Sequence, residues 1–270
     1  HARQMKLIID LVVNHTSDEH KWFIESKSSK DNPKRDWYIW RAGKDNKEPN
    51  NWESIFKGSV WEFDKNTEEY FMHLFTKKQP DLNWDNKEVR EAIYSMINWW
   101  LDKGIDGFRV DAISHIKKED GLVDMPNPKG LKYVESFDKH MNVSGIHKYL
   151  KELKERTFDK YDIMTVGEAP HTSADEAAPY TASDRHELNM VFHFDHMHLD
   201  YDENGKYAKN RVKLTDLKEV MTKWQDTMHE CDGWNSLYWS NHDQARAVSR
   251  FGNESEPYRV KSAKMLGTIL

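Results

Sequence analysis

The segment GFRVDAISH, residues Gly107 to His115, joins a short apolar run to an arginine and an aspartate. Arg109 and Asp111 lie two positions apart, and alternate residues of a strand leave the same face, so we predict that their side chains point the same way. A guanidinium favours the ionised form of a neighbouring carboxylate. The segment therefore predicts a strand that presents an oriented, anionic carboxylate at its carboxyl end.

Three further segments have the same construction, namely DLVVNH at 10–15, VGEA at 166–169 and SNHDQ at 240–244. Each ends or follows an apolar run that is typical of a strand, and each places an acidic residue or a histidine where that strand should stop. Successive parallel strands that present such side chains at one end are the arrangement of a (β/α)₈ barrel. The segments therefore predict an α/β fold built from βα units.

Apolar residues at helical spacing predict two long amphipathic helices. The first begins at Asn86, stops at Gly104 and carries on one face Val89, Ile93, Ile97, Trp100 and Leu101. The second is marked by Leu214, Leu217, Met221, Trp224 and Met228. Shorter helices are predicted around 146–153 and from about Val260 to the end. Five strands are predicted, at 6–13, 107–113, 163–166, 188–194 and 235–240.

Composition excludes several classes of protein. Acidic and basic residues are interspersed along the 270 residues with a net charge of −6, so the chain has no basic footprint for nucleic acid. No apolar run approaches the roughly 20 residues of a membrane span. The single cysteine, Cys231, excludes an internal disulfide and fits a reducing compartment, which predicts a cytoplasmic protein. Eleven residues each of Trp, Tyr and Phe are enough to supply a core and to leave aromatic faces for a ligand cleft.

The four segments, in this order, resemble the α-amylase superfamily of retaining glycoside hydrolases. A fifth segment, QPDLNW at 79–84, resembles the oligo-1,6-glucosidase and α-glucosidase branch of that family. The resemblance implies a partial (β/α)₈ barrel of about strands three to seven. Residues 1–15 would hold the third barrel strand, 16–78 an inserted small domain, and 79–270 the barrel from its third helix to about its seventh. We expect such a piece either to belong to a larger chain or to associate so that its open sheet edges are covered, and to be inactive by itself.

The resemblance implies three catalytic carboxyl groups. Asp111 matches the nucleophile, Glu168 the general acid and later base, and Asp243 the residue that contacts sugar hydroxyls and stabilises the positively charged transition state. A carboxyl group near an anionic one is disfavoured from ionising, which suits Glu168 to proton donation. Outside these motifs, Asp111 would fit a structural ion pair equally well, and Glu168 would be read as a loop or capping residue.

The resemblance also implies a set of supporting residues. Those expected to bind sugar are His15, Arg109, His242 and Arg246. Asp10 is expected to support Arg109 from below without touching the substrate. Ala245 departs from the family's DQPR pattern, which bears on the local turn and not on the chemistry.

Neither a metal nor an organic cofactor is expected. His193, His196 and His198 alternate through VFHFDHMHLD, which would place several nitrogens on one strand face, yet no fourth zinc ligand is evident. We therefore interpret this stretch as a polar strand end near the cleft. Asn14 matches a calcium-ligand position of true α-amylases, but the oligo-1,6-glucosidase branch generally lacks that site.

The predicted function is an exo-acting, retaining α-glucosidase that hydrolyses short α-glucosides. Sucrose isomerases, trehalose-6-phosphate hydrolases and dextran glucosidases share much of the pattern and stay open as alternatives. Family members that prefer α-1,6 bonds often carry Val directly after the nucleophile position, so the resemblance implies that Ala112 favours maltose-type over isomaltose-type substrates. The combined presence of Asp111, Glu168 and Asp243 argues against a non-catalytic barrel of the same fold and against a carbohydrate-binding module.

Overall fold

A computed structural model of the protein describes residues 1–45, 47–202, 205 and 211–270. These residues form two compact units, His1–Thr165 and Val166–Leu270. The strands are β1 Ile8–Val12, β2 Trp40–Arg41, β3 Trp61–Asp64, β4 Glu69–Met72, β5 Gly107–Asp111, β6 Met164–Glu168, β7 Met190–Phe192 and β8 Asn235–Ser236. The α-helices are α1 Lys21–Ser26, α2 Lys87–Asp102, α3 Phe137–His140, α4 Ile146–Arg156, α5 Ala174–Thr181, α6 Leu214–Glu230, α7 Ala247–Phe251 and α8 Arg259–Ile269.

In the first unit, β1 and β5 pair in parallel over their whole lengths, with Asp10 opposite Arg109. Leu11 in β1 and Phe108 and Val110 in β5 are buried. The predicted strand at 6–13 is therefore present but shorter, because it begins only at Ile8. The register brings Asp10 and Arg109 to neighbouring positions, two residues before the carboxyl ends of both strands.

Gly107 allows β5 to begin where a larger residue would not fit. A Cβ atom at this position would lie 1.9 Å from the carbonyl oxygen of Met164, and the glycine has a φ of +151°. Met164 in turn donates its N–H to the carbonyl oxygen of Asp106 at 3.0 Å. Glycine therefore permits the close approach of the Gly107 backbone to the Met164 backbone. This approach fixes the beginning of β5, two residues before Arg109.

Gly107→Ala is expected to lower the free energy of unfolding by about 3 kcal/mol or more, because the added methyl group must displace backbone. Gly58→Ala is the matched control, since Gly58 has a φ of +84° and its Cβ would meet no atom within 4 Å. The control should cost only about 1 kcal/mol, from the backbone conformation alone. Urea denaturation of both variants measures the difference, and equal losses would show that the close approach to Met164 is unimportant.

Residues 16–78 contain a small antiparallel sheet in the order β2-β4-β3. Its core includes Trp52, Trp61 and Met72, with Leu122 packed against them from outside this range. Asn51 accepts a hydrogen bond from the Met125 N–H and donates one to the Met125 carbonyl oxygen. The Asn51 side-chain amide thus stabilises a segment in which the sequence shows little periodicity. The exact bounds of an inserted domain stay a prediction.

Helix α2 confirms the first predicted amphipathic helix. The Asn86 side chain accepts a hydrogen bond from the Glu88 N–H at the beginning of the helix. The buried residues are Val89, Ile93, Tyr94, Ile97 and Leu101. Trp100 differs from the prediction, since it is 36% exposed and packs edge-on against Trp99, with ring centroids 4.7 Å apart. The buried stripe therefore includes Tyr94, which the sequence pattern left out, and does not include Trp100.

In the second unit, β6, β7 and β8 pair in parallel, with Glu168 opposite Phe192. Helices α6 and α8 lie where helices were predicted. The buried residues of α6 are Trp224 and Met228, whereas Leu214 is 75% exposed. Leu217 and Met221 are partly buried, so Leu214 is the one residue of the predicted apolar face that is exposed. No helix within the described part of the chain combines the length and apolar character of a membrane span.

Candidate active site

The paired strands β1 and β5 hold a cluster of three charged side chains, of which Asp111 lies at the carboxyl end of β5. Nη1 of Arg109 donates to Oδ1 of Asp10 at 2.9 Å and also to Oδ1 of Asp111. Arg109 and Asp111 are largely shielded from solvent, and Asp10 is half exposed. One guanidinium therefore lies between the two carboxylates, as strand alternation within β5 and the register with β1 together predict. This contact restricts the rotation of the Asp111 carboxylate, and an oriented carboxylate is suited to act as a nucleophile.

The chain turns sharply directly after Asp111. Ala112 is buried and has a φ of 46°, in the left-handed region, and a 3₁₀ turn over Ile113–His115 follows. A non-glycine residue with this conformation costs of order 1–3 kcal/mol and is found most often at functional sites. The turn ends β5 at the aspartate, so the Asp111 carboxylate lies at the strand's end.

His15 is buried at the end of DLVVNH, among residues of the QPDLNW segment. Its Nε2 lies 3.0 Å from Nε2 of Gln79, and its ring packs against Phe75 with centroids 5.1 Å apart. Burial lowers the pKa of His15, and the charges of Asp81 and Asp111 oppose that effect. The ring is therefore held neutral and oriented, with the Asp111 charge near enough to act on it.

A buried ion pair underlies His15. Nζ of Lys118 lies 2.7 Å from Oδ2 of Asp81 and 2.9 Å from Oδ1 of Asn14, and the Lys118 and Asp81 side chains are 5% and 0% exposed. Nδ2 of Asn14 lies 3.3 Å from Nδ1 of His15. Burial lowers the pKa of Lys118, and Asp81 opposes this. The pair joins the segment after β5 to the residue before His15.

Lys118→Met is expected to lower the free energy of unfolding by about 3–5 kcal/mol, because it leaves Asp81 buried without its cation. Lys117→Met is the matched control. Lys117 pairs with Asp85 and Asp120, which are 57% and 90% exposed, so its loss should cost no more than about 1 kcal/mol.

The double variant Lys118→Met/Asp81→Leu should recover much of the lost stability, since it removes both buried charges. Urea denaturation of the three variants measures these differences. A Lys118→Met variant as stable as the wild type would contradict the assignment of a buried ion pair.

Glu168 is the last residue of β6 and is partly exposed. Gly167 and Glu168 pair with Val191 and Phe192 of β7, and the N–H of Ala169 donates to the Phe192 carbonyl oxygen at 3.2 Å. The backbone on both sides of Glu168 is therefore fixed by β7. This places a carboxyl group at the carboxyl end of a parallel strand, which is where barrel enzymes carry their catalytic groups.

The SNHDQ segment forms a tight turn after β8. Oδ1 of Asn241 accepts a hydrogen bond from the Asp243 N–H at 2.8 Å, and Nε2 of His242 lies 3.2 Å from Oδ2 of Asp243. The His242 and Asp243 side chains are 68% and 60% exposed. Arg246 is exposed and directly precedes α7. Within the second unit, the structure thus brings His242 and Asp243 into contact, as two neighbouring polar groups open to a ligand.

The histidines of VFHFDHMHLD do not form the predicted polar strand end. Strand β7 ends at Phe192, so His193, His196 and His198 follow it in a turn and do not alternate on one strand face. His193 is buried and stacks on Trp224 with ring centroids 4.1 Å apart, and burial lowers its pKa to about 3. Among the described residues, no group of three or more His, Cys, Asp or Glu side chains could hold a metal ion.

Two buried charged residues, one in each unit, were not predicted from the sequence alone. Lys118 was passed over because lysine is almost always a surface residue. Arg250 lies beyond the SNHDQ motif, and its partners Asp200 and Gln244 become neighbours only on folding. The weak signal for both was the same, namely a basic residue within seven positions of a predicted catalytic aspartate.

The fold is that of part of an α/β barrel, and the chain belongs to the α-amylase family. Residues 1–270 match the family model described as "Alpha amylase, catalytic domain". The chain is 57% identical over all its residues to an oligo-1,6-glucosidase of Halalkalibacterium halodurans, of which it covers 48%. It is also 57% identical to an oligo-1,6-glucosidase of Bacillus cereus, with the same coverage.

Solved structures confirm the predicted fold class. A trehalose-6-phosphate hydrolase of Bacillus licheniformis superimposes with a TM-score of 0.92 at 44% identity, over 100% of this chain and 47% of that one. A trehalulose synthase variant superimposes with a TM-score of 0.90 at 40% identity, over 99% of this chain and 47% of that one. The chain is therefore an α/β protein with part of a (β/α)₈ barrel, and it spans about half the length of these relatives.

Proposed function

We propose that this chain carries the catalytic carboxyl groups of a retaining, exo-acting α-glucosidase that hydrolyses short α-glucosides. The observation that carries the proposal is the Arg109 guanidinium, which bridges Asp10 in the middle of β1 and Asp111 at the carboxyl end of β5. Membership of the α-amylase family supports the same chemistry. No organic cofactor is needed for hydrolysis, and we propose a cytoplasmic protein whose small-molecule partner is an oligosaccharide.

The proposed reaction has two displacements. Asp111 attacks the anomeric carbon while Glu168 gives a proton to the departing glycosidic oxygen, which forms a β-glucosyl enzyme. Glu168 then takes a proton from water, which attacks the same carbon and releases Asp111. Each displacement inverts the anomeric carbon, so the product keeps the α configuration, and the mechanism requires the two carboxyl groups to be about 5–5.5 Å apart.

The remaining groups have supporting roles in this proposal. Asp243 contacts hydroxyls of the glucose ring and stabilises the positive charge of the transition state, while His15, Arg109, His242 and Arg246 contribute to binding. Asp10 acts through Arg109, from whose Nη1 it accepts a hydrogen bond. Interactions with the developing charge are stronger in the transition state than in the ground state, and they accelerate the reaction for that reason.

Product stereochemistry tests the proposed mechanism. The natural full-length protein is mixed with p-nitrophenyl α-glucoside, and proton NMR records which anomer of glucose is released before mutarotation. The α anomer must come first if both displacements occur. Initial release of the β anomer would contradict retention.

Linkage preference is tested separately. Ala112 predicts faster hydrolysis of maltose, whereas relatives 57% identical to the chain are named oligo-1,6-glucosidases, which favours isomaltose. The ratio of kcat/KM for the two disaccharides decides between them. Trehalose 6-phosphate and sucrose belong in the same panel, because structures of a trehalose-6-phosphate hydrolase and a trehalulose synthase superimpose closely on the chain.

A further inference from the structure

Arg250 is a buried arginine that the proposed reaction does not use. Its side chain is 6% exposed, as is that of Asp200, to which it donates from Nε and Nη2 at 2.7 and 2.5 Å. Nη2 also donates to the Met197 carbonyl oxygen, and Nη1 donates to Oε1 of Gln244 at 2.7 Å. One guanidinium therefore joins α7, the turn after β7 and the SNHDQ segment.

The contact with Gln244 acts directly on the turn that carries Asp243. Gln244 is the next residue along the chain, and its N–H lies 3.4 Å from the Asn241 carbonyl oxygen. The Asn241 side-chain oxygen accepts a hydrogen bond from the Asp243 N–H. Arg250 therefore holds the Gln244 end of this turn, and the Asn241 side chain holds the other end. Asp243 lies between these two residues.

We propose that Arg250 is a positioning residue that holds Asp243 in its catalytic orientation through Gln244. The inference rests on the proposed function, in which Asp243 contacts the glucose ring. Arginine suits this role because its planar guanidinium has five donors in a fixed geometry, so it bonds two oxygens of Asp200 and still reaches Gln244 and Met197. Lysine offers a single ammonium group and cannot make this set of contacts together.

Loss of the Arg250–Gln244 contact is expected to have a distinctive kinetic signature. A displacement of about 1 Å in a catalytic group can cost about 10²-fold in rate. Arg250→Lys and Gln244→Ala are therefore each expected to lower kcat/KM by about 10- to 100-fold, chiefly through kcat. Because Asp243 acts on the glucose ring and not on the leaving group, the loss should be equal for p-nitrophenyl α-glucoside and maltose.

The two variants keep the test independent of folding. Arg250→Lys retains a charge beside the buried Asp200, and Gln244→Ala leaves the Arg250–Asp200 pair intact. Arg259→Met is the matched control, since Arg259 is an exposed arginine on α8, and it should have wild-type kinetics. All measurements use the natural full-length protein, with rates expressed per folded molecule from near-ultraviolet circular dichroism.

The double variant tests whether the two residues act as one unit. Residues in one hydrogen-bond network show non-additive effects. Arg250→Lys/Gln244→Ala should therefore be no slower than the slower single variant. Additive losses, wild-type rates per folded molecule, or a loss confined to thermal stability would overturn the inference.

Failure of the proposed function has a different appearance. A wild-type protein that hydrolyses neither maltose, isomaltose nor the aryl glucoside would overturn the proposed function, and with it the role of Arg250. A wild-type protein that is active, with unchanged Arg250→Lys and Gln244→Ala variants, would overturn only the role of Arg250.

Discussion

Replacement of Asp111 by asparagine is expected to lower kcat on every α-glucoside by about 10⁴- to 10⁶-fold, the range found when a catalytic nucleophile is removed. Asparagine has nearly the same shape but no negative charge, so it cannot form the glycosyl ester. Its carbonyl oxygen can still accept a hydrogen bond from Arg109, whose pairing with Asp10 is unaffected. The fold should therefore survive, and pre-steady-state assays with p-nitrophenyl α-glucoside measure the loss.

Asp10→Asn is the matched control for the loss of charge beside Arg109. It removes one carboxylate from the same guanidinium but leaves the nucleophile in place. We expect a decrease in kcat/KM of about 10-fold, since Asp10 only orients Arg109. An Asp111→Asn variant that retains more activity than Asp10→Asn would exclude Asp111 as the nucleophile.

Replacement of Glu168 by glutamine should have an effect that depends on the leaving group. General acid catalysis contributes about 10²- to 10⁴-fold, and poor leaving groups depend on it most. The first step with maltose should therefore be slowed by about 10³-fold or more, while that with p-nitrophenyl α-glucoside should change little. Glutamine preserves the size of the side chain at the end of β6, so the pairing with β7 is retained.

Azide provides the control for this variant. A small anionic nucleophile needs no general base, so azide should accelerate breakdown of the glucosyl enzyme in Glu168→Gln and yield α-glucosyl azide. The wild type should respond weakly, because its base already activates water. An equal loss of the first step for both substrates, without azide rescue, would count against Glu168 as the acid and base.

The strand ends and the Arg109–Asp111 pair could be predicted because both follow from local rules, whereas the position of Asp10 beside Arg109 was implied only by the family resemblance. Alternation along a strand puts Arg109 and Asp111 on one face, and parallel pairing brings Asp10 opposite Arg109. The α2 helix was equally accessible, since apolar spacing and a capping asparagine define it. These features depend on residues that are close in sequence or joined by regular pairing.

The residues missed from sequence depend on contacts between distant segments. Lys118 is buried only because Asp81 and Asn14, from two other segments, surround its ammonium group. Arg250 meets Asp200 across 50 residues. His193 was assigned to a strand face because the sequence does not reveal that β7 ends at Phe192, one residue before it. Irregular turns and buried charges follow from tertiary packing, which sequence periodicity does not encode.

Covalent trapping tests the central claim most directly, namely that Asp111 forms a β-glucosyl ester. The natural full-length protein is treated with 5-fluoro-α-glucosyl fluoride, which forms the glycosyl enzyme but slows its hydrolysis, and is then digested and analysed by tandem mass spectrometry. We expect one fluoroglucosyl group per molecule, attached to Asp111 in the peptide that contains GFRVDAISH. A label on any other carboxylate, or inactivation without a covalent label, would contradict the account.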